Sequence, residues 1–240
     1  MKSNYPKVLI ISEFYFNENS GGGILLKNLF ENYPKDKIFI LHEDVNVKTS
    51  SRIKSHLLKK PNKISYFLKK ILDPLIVQKL IDLNNLITIK KRKKVSDDLV
   101  TKLSNFKPDV IYTILGSYGL MCMIKDLQKI LKVPLVTHVM DNVLDVYTKH
   151  RKEYKIFNYL IHNSVKRIAI NSKMADEYQK IFKYNFSILH NGINKNKIQK
   201  VNIKKKTKII TYIGSVFKNA QLDSLVEITQ VIEQLIKKKK

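Results

Sequence analysis

The segment KVLIIS (7–12) holds an unbroken apolar run from Val8 to Ile11. A strand with one wet face alternates apolar and polar residues. An unbroken run is instead covered on both faces, the condition of a parallel strand between helical layers. GILLKNLFENY (23–33) follows, with Leu25, Leu26, Leu29 and Phe30 at helical spacing, and KIFILH (37–42) reads as a second strand. Strand, helix, strand is the opening of a parallel sheet. The rhythm resumes with DVIYTIL (109–115), a helix over 117–131, PLVTHVM (134–140), a long helix over 145–166, RIAIN (167–171), a helix over 172–182 and FSILHN (186–191). This alternation predicts an α/β fold, a doubly wound, Rossmann-like parallel sheet within a domain of residues 1–194.

Residues 195–206 are charge-rich without a clean period and read as a linker. TKIITYIGS (207–215) reads as a strand again, and 222–236 as a helix with Leu222, Leu225, Ile228, Ile232 and Leu235 on one face. Residues 207–240 are thus expected to be the first β-α unit of a second Rossmann-like domain, truncated at its lysine run. One strand and one helix cannot bury a core alone. Between the second and third strands of the first domain lies an insertion, residues 43–108.

Charge narrows the classes of partner. The formal net charge is +25, from 45 Lys and Arg against 20 Asp and Glu. Such a balance points to an anionic partner. A competing origin is AT-rich codon usage, since lysine, asparagine and isoleucine are abundant and arginine, the usual phosphate reader, is scarce. From Arg52 to Lys94 the insertion carries 13 basic residues against Asp73 and Asp82, with apolar stretches between them and a cluster at Lys90–Lys94. It reads as a basic amphipathic segment for an anionic membrane surface or as a solvated helical insertion. Nucleic acid is the weaker alternative: only Tyr66 and Phe67 supply aromatics, and no recognition motif is present. The lone cysteine, Cys122, lies in the apolar run LMCMI and reads as core; no Cys/His spacing fits zinc. The N-terminal apolar run is too short for a signal peptide, and no stretch reaches the roughly 18 apolar residues of a membrane span. The expected location is cytoplasmic, with the inner membrane face as the site of any peripheral association.

In an open parallel sheet, ligands sit beyond the carboxyl ends of the strands. Small and polar residues collect at those predicted ends: Gly21, Gly22 and Gly23; Gly116 and Ser117; His138 and Asp141; Ser172; Asn191 and Gly192; Gly214 and Ser215. The triple glycine opens a helix, where free N–H groups and the dipole favour an anion and a bare backbone lets a phosphate or sugar hydroxyl approach. Its alternative role is tight packing of helix and loop. The dinucleotide fingerprint does not fit, because eight residues separate strand and glycines and Leu26 holds the third glycine's place; no P-loop G-K-[ST] occurs. For His138, structural and functional roles stand level. Asp141 could accept substrate hydroxyls or act as a base. Neighbouring metal ligands are lacking.

The stretches KVLIISEFYFNENSGGG, KPDVIYTIL, PLVTHVMDNV, RIAINSKMADEY, FSILHNGIN and ITYIGS followed by LDSLVEI, in this order and spacing, resemble GT-B glycosyltransferases, particularly glycosyltransferase family 4. The resemblance covers nearly the whole chain. It implies two facing Rossmann-like domains, the first on the acceptor side and the second gripping a nucleotide-sugar. It implies that Gly21–Gly23 lie near the donor phosphates, that His138 and Asp141 face the transferred sugar and acceptor as catalytic residues, and that Asn191 and Gly192 lead toward the linker. Gly116, Ser117 and Ser172 join the binding set on their rim position, and Gly214 and Ser215 open the nucleotide domain. No metal or cofactor is implied, since the nucleotide-sugar is itself the donor substrate. The expected reaction is transfer of a sugar to a polysaccharide or glycolipid acceptor. The sequence departs from the family where an arginine commonly follows the Gly-Ser turn: Gln221 falls near that position, and Lys218 is offset from it. With the rest of the donor domain lacking, the chain is expected to be inactive alone. The alternatives are a second chain completing that domain, or a binding module and partner subunit with no donor site of its own.

Overall fold

The computed structural model describes residues 5–45, 52–58, 93–145, 151–192, 209–214, 216 and 221–238. Among the described residues seven strands form one parallel sheet: β1 (Val8–Ile11), β2 (Ile38–His42), β3 (Lys54–Leu57), β4 (Val110–Ile114), β5 (Leu135–Val139), β6 (Lys166–Ala169) and β7 (Ser187–Ile188). Their order is β3-β2-β1-β4-β5-β6-β7. The chain winds outward from β1 in one direction, then returns to β4 and winds in the other. The sheet is therefore doubly wound, as the sequence predicts, with its switch point between β1 and β4.

The unbroken apolar runs have the predicted cause. Every residue of β1 and β2 is buried. Leu9, Ile11, Phe39, Leu41 and Ile111 face one layer, built from α2 (Asp97–Phe106), α3 (Tyr118–Leu131), α4 (Lys152–His162) and α5 (Ser172–Phe182). Val8, Ile10, Ile38, Ile40, Tyr112 and Ile114 face the other, where α1 (Gly21–Leu29) contributes Leu25 and Leu26. Cys122 is buried in the first layer, as its apolar surroundings predict.

Several boundaries differ from expectation. β3 reads KSHL and is half-exposed. Among the described residues it pairs only with β2, so it needs no apolar run and leaves no signal in the predicted insertion. The long helix expected over 145–166 is, in the described part, a 3₁₀ turn at Val143–Asp145 and the helix Lys152–His162. Ser164 ends it, its hydroxyl donating back to Leu160 O at 2.6 Å. β7 is two residues, shorter than 186–191. The described residues 209–214 pair with no strand, although their apolar run predicts one.

Contacts divide the chain into two units, Met1–Lys197 and Ile198–Lys240. The first holds the sheet. The second holds α6 (Gln221–Lys237), close to the predicted 222–236, and no residue of α6 is buried. The linker 195–206, Tyr66, Phe67 and the Lys90–Arg92 part of the basic cluster lie outside the described residues. Among the described residues no helix is long and apolar enough to cross a membrane.

Candidate functional site

Because all seven strands are parallel, the loops leaving their carboxyl ends share one rim. The β1–α1 loop is built around Asn17. Its Oδ1 accepts from the backbone N–H groups of Asn19 and Ser20, each at 2.9 Å, and from Ser20 Oγ at 3.0 Å. Its Nδ2 donates to Asp44 Oδ2 beyond β2, at 2.8 Å. Ser20 then caps α1, accepting from Gly23 N at 3.2 Å. Asn and Ser suit these places because their short side chains satisfy main-chain groups that a turn leaves unpaired.

This loop separates the three glycines. A Cβ on Gly22 would collide with the ring of Phe14, and one on Gly23 with the carboxamide of Asn17. Both glycines are buried. Their bareness is thus accounted for by packing, the alternative role weighed for the triple glycine. Gly21 differs: it is exposed, and a Cβ there would have no atom within 4 Å. Among the described residues no acceptor meets the N–H groups of Gly21 and Gly22, while Ile24 N closes onto Ser20 O at 2.9 Å. The open backbone donor at this helix start is therefore the N–H of Gly21, which has free space beside it, whereas Gly22 is buried.

At the switch point the structure brings in a residue that the sequence reading omitted. Glu13, just past β1, accepts from Ser117 N at 2.6 Å. A Cβ on Gly116 would lie 2.6 Å from Glu13 Oε1, so glycine here admits the carboxylate. Ser117 is buried, and its hydroxyl caps α3 by accepting from Leu120 N at 3.4 Å. The anion at this helix N-terminus is thus the chain's own. Glu13 follows directly on a predicted strand, which is the signal that could have found it.

The remaining predicted residues separate into exposed and buried ones. Asp141 is exposed beyond β5. Beside it, Asn142 and the backbone of Val143 are tied down by Tyr178, whose hydroxyl donates to Asn142 Oδ1 at 3.3 Å and accepts from Val143 N at 3.0 Å. Ser172 is exposed at the start of α5, but the cap is Asn171, whose Oδ1 accepts from Met174 N at 2.8 Å. Asn191 and Gly192 are exposed, and Gly192 O accepts from Asn28 Nδ2 of α1 at 3.0 Å, bringing the segment after β7 against α1. His138 lies inside β5, fully buried, with Nδ1 2.7 Å from the Tyr112 hydroxyl and Nε2 without a partner. Burial pushes its pKa down to about 4, so the ring is neutral at pH 7. Burial likewise raises the Tyr112 phenol above its usual range. Gly214 belongs to the second unit, where its position leaves room for the Tyr212 hydroxyl. Ser215 and Lys218 lie outside the described residues. No group of His, Cys, Asp and Glu among the described residues could hold a metal ion.

No protein-family model matches the sequence, and no curated protein matches it. Among solved structures, HepE of Anabaena in complex with UDP is similar at 13% identity and a TM-score of 0.48, over 79% of this chain and 45% of that one. Its complex with UDP and glucose gives 13% and 0.49, over 80% and 46%. Its complex with UDP-glucose gives 12% and 0.46, over 79% and 45%. The chain spans less than half the length of these structures.

Proposed function

We propose that this chain is the acceptor-side part of a GT-B glycosyltransferase, which moves a sugar from a nucleotide-sugar to a polysaccharide or glycolipid acceptor. One observation carries the reading. The unfilled space and unpaired N–H at Gly21 share the carboxyl rim of the sheet with exposed Asp141, and Asn28 draws exposed Gly192 to the same helix. Backbone donors suit a phosphate or a hydroxyl, and a carboxylate suits hydroxyl protons; together they suit a sugar. The motifs that resemble family 4 fall on these same loops.

In the transfer, the bond from the anomeric carbon to the nucleotide's phosphate oxygen breaks and a bond to the acceptor oxygen forms. The diphosphate leaves with the electron pair, and the acceptor hydroxyl gives up its proton. Asp141 is assigned to the acceptor hydroxyl. His138 is assigned a supporting role through Tyr112, since a fully buried neutral ring stiffens the strand beneath Asp141. Gly214, with Ser215 and Lys218, is assigned to the nucleotide side. The exposed apolar residues of the second unit, Ile213 at 92% foremost, favour a second reading, a partner subunit that works only with another chain.

Binding of the full chain to a panel of nucleotide-sugars and oligosaccharides, followed by saturation-transfer NMR, tests the first reading. Weak sugar binding without efficient turnover is expected. Gly21→Val, which fills the space beside the N–H, and Asp141→Asn, which removes the carboxylate, should each weaken it about tenfold, the size of one well-placed polar contact, with unchanged thermal midpoints. Absence of sugar binding, or variants that bind like the wild type, would overturn it.

A further inference from the structure

Asn17 lies among partners that leave its carboxamide one orientation. Asp44 Oδ2 stands 2.8 Å from Nδ2 and Tyr15 O 3.2 Å, and both groups only accept. The N–H groups of Asn19 and Ser20 stand 2.9 Å each from Oδ1, and both only donate. Turned over, the carboxamide would set acceptor against acceptor and donor against donor. Gly23 closes a further side, since a Cβ there would strike the same group. Among the described residues, Asp44 alone of the groups hydrogen-bonded to Asn17 lies outside the β1–α1 loop, just beyond β2. The orientation carries through to α1. Oδ1 also accepts from Ser20 Oγ at 3.0 Å, which commits the hydroxyl hydrogen and leaves a lone pair for Gly23 N at 3.2 Å. The open N–H of Gly21 stands between these two fixed residues.

We infer that Asp44 is a positioning residue for the rim site, acting through Asn17. It fixes the carboxamide, the carboxamide holds Ser20, and Ser20 holds the start of α1, so that the Gly21 N–H keeps one place. The ligand class rests on the sugar-site reading above; the anchoring does not. A donor already held in place costs a ligand no ordering on arrival, whereas a loop free to shift spends part of the contact on being ordered. A carboxylate suits the anchor because its hydrogen bonds are stronger than those of a neutral acceptor. The pairing of β1 with β2 runs out just before this point, with Glu43 N on Glu13 O at 3.3 Å. Past it, side chains hold the loop to the β2 exit: the Asp44 bond, and Tyr15 against His42 with ring centroids 4.9 Å apart.

Amide hydrogen exchange on the full chain, with glucose 1-phosphate titrated into the same samples, tests the inference. Asp44→Ala should speed exchange at Asn19, Ser20 and Gly23 at least about tenfold, leave the amides of β1 and β4 within about twofold, and weaken glucose 1-phosphate about fivefold or more. Gly23→Ala pushes on the same carboxamide from another side and should give the same local pattern. Asn17→Asp alone sets two carboxylates together and should do likewise. Combined with Asp44→Asn it reverses which side donates while keeping the bond, and should return exchange and affinity to within about threefold of the wild type. Wild-type exchange at Asn19 and Ser20 in Asp44→Ala would overturn the inference. Faster exchange spread evenly over β1 and β4 would do so too, because it reports fold stability and not position. A double variant no better than Asn17→Asp alone, or a loosened loop that binds glucose 1-phosphate as tightly as before, would also overturn it. The predicted exchange pattern in a wild type that ignores glucose 1-phosphate would support the anchor and count against the sugar reading.

Discussion

His138 is a residue whose rim position and whose burial point to different roles. Its strand ends at the rim, yet the ring is sealed between Tyr112 and the sheet, and burial lowers its pKa from 6.5 to about 4. Between those two values the unfolded chain binds the proton and the folded chain does not. This contribution to stability is therefore complete above about pH 6.5, declines as pH falls toward 4, and levels off below that. At about 1.4 kcal/mol per pKa unit it amounts to on the order of 3 kcal/mol. His42, also lowered by burial, acts in the same direction, so a difference between variants is needed. Urea unfolding at pH 5 and pH 7.5 should show a smaller pH-dependent loss for His138→Gln than for the wild type; equal losses would assign the titration elsewhere. At this scale the sequence was legible in part. It showed which residues follow strands, because strand ends can be read from apolar runs. It did not show which side chains turn inward, because His138 and Asp141 differ in burial through register and not through type. The place of Glu13 after a strand is legible, but its partner, the N–H of Ser117, is not, because the pairing of β1 with β4 brings it near.

Elements were legible in proportion to how fully they are buried. β1, β2 and β4 announce themselves because both faces are covered, and α3 and α5 because an apolar stripe and a side-chain cap agree. β3 is an edge strand, and nothing in KSHL requires a strand until β2 is beside it. Helix ends were less legible still. α2, α3 and α5 terminate at Lys107, Lys132 and Lys183, all with positive φ, where glycine is the usual residue. Lysine's charge suits a helix C-terminus and offsets part of the left-handed strain. The start of α1 offers the sharpest test of how an element is seated. Gly22→Ala must push against the ring of Phe14 and should lower stability by about 1–3 kcal/mol, the cost of overpacking. Gly21→Ala meets open space and should stay within about 0.5 kcal/mol of the wild type. Chemical denaturation of the two variants decides between a loop packed for its own sake and one held open throughout. Equal, small effects would mean that Phe14 yields freely and that the triplet has no structural division of labour.

Among the described residues the first unit has a core on both faces of its sheet, and the second has no buried hydrophobic side chain. In the second unit α6 runs for 17 residues without a buried side chain. Val226, Ile228, Val231, Leu235 and Ile236 are 45–58% exposed, and Ile209, Ile210 and Ile213 reach 60–92%. A globular helix turns such a face inward, and exposed apolar clusters mark surfaces that another body covers. Like-charge repulsion works against association of copies, since the net charge is +25, and salt relieves it. The two effects should separate by ionic strength. At about 50 µM, within the range where exposed apolar surface drives association, the full chain should be mainly monomeric in low salt and larger in high salt. Ile228→Ser with Val231→Ser and Leu235→Ser should remain monomeric in both, with the unfolding midpoint of the first unit unchanged. Light scattering after size exclusion reads the mass directly. A wild type that stays monomeric at both salts, without binding a hydrophobic dye, would show that these side chains recruit no partner, and the partner-subunit reading would fall while the sugar-binding reading of the rim stood untouched.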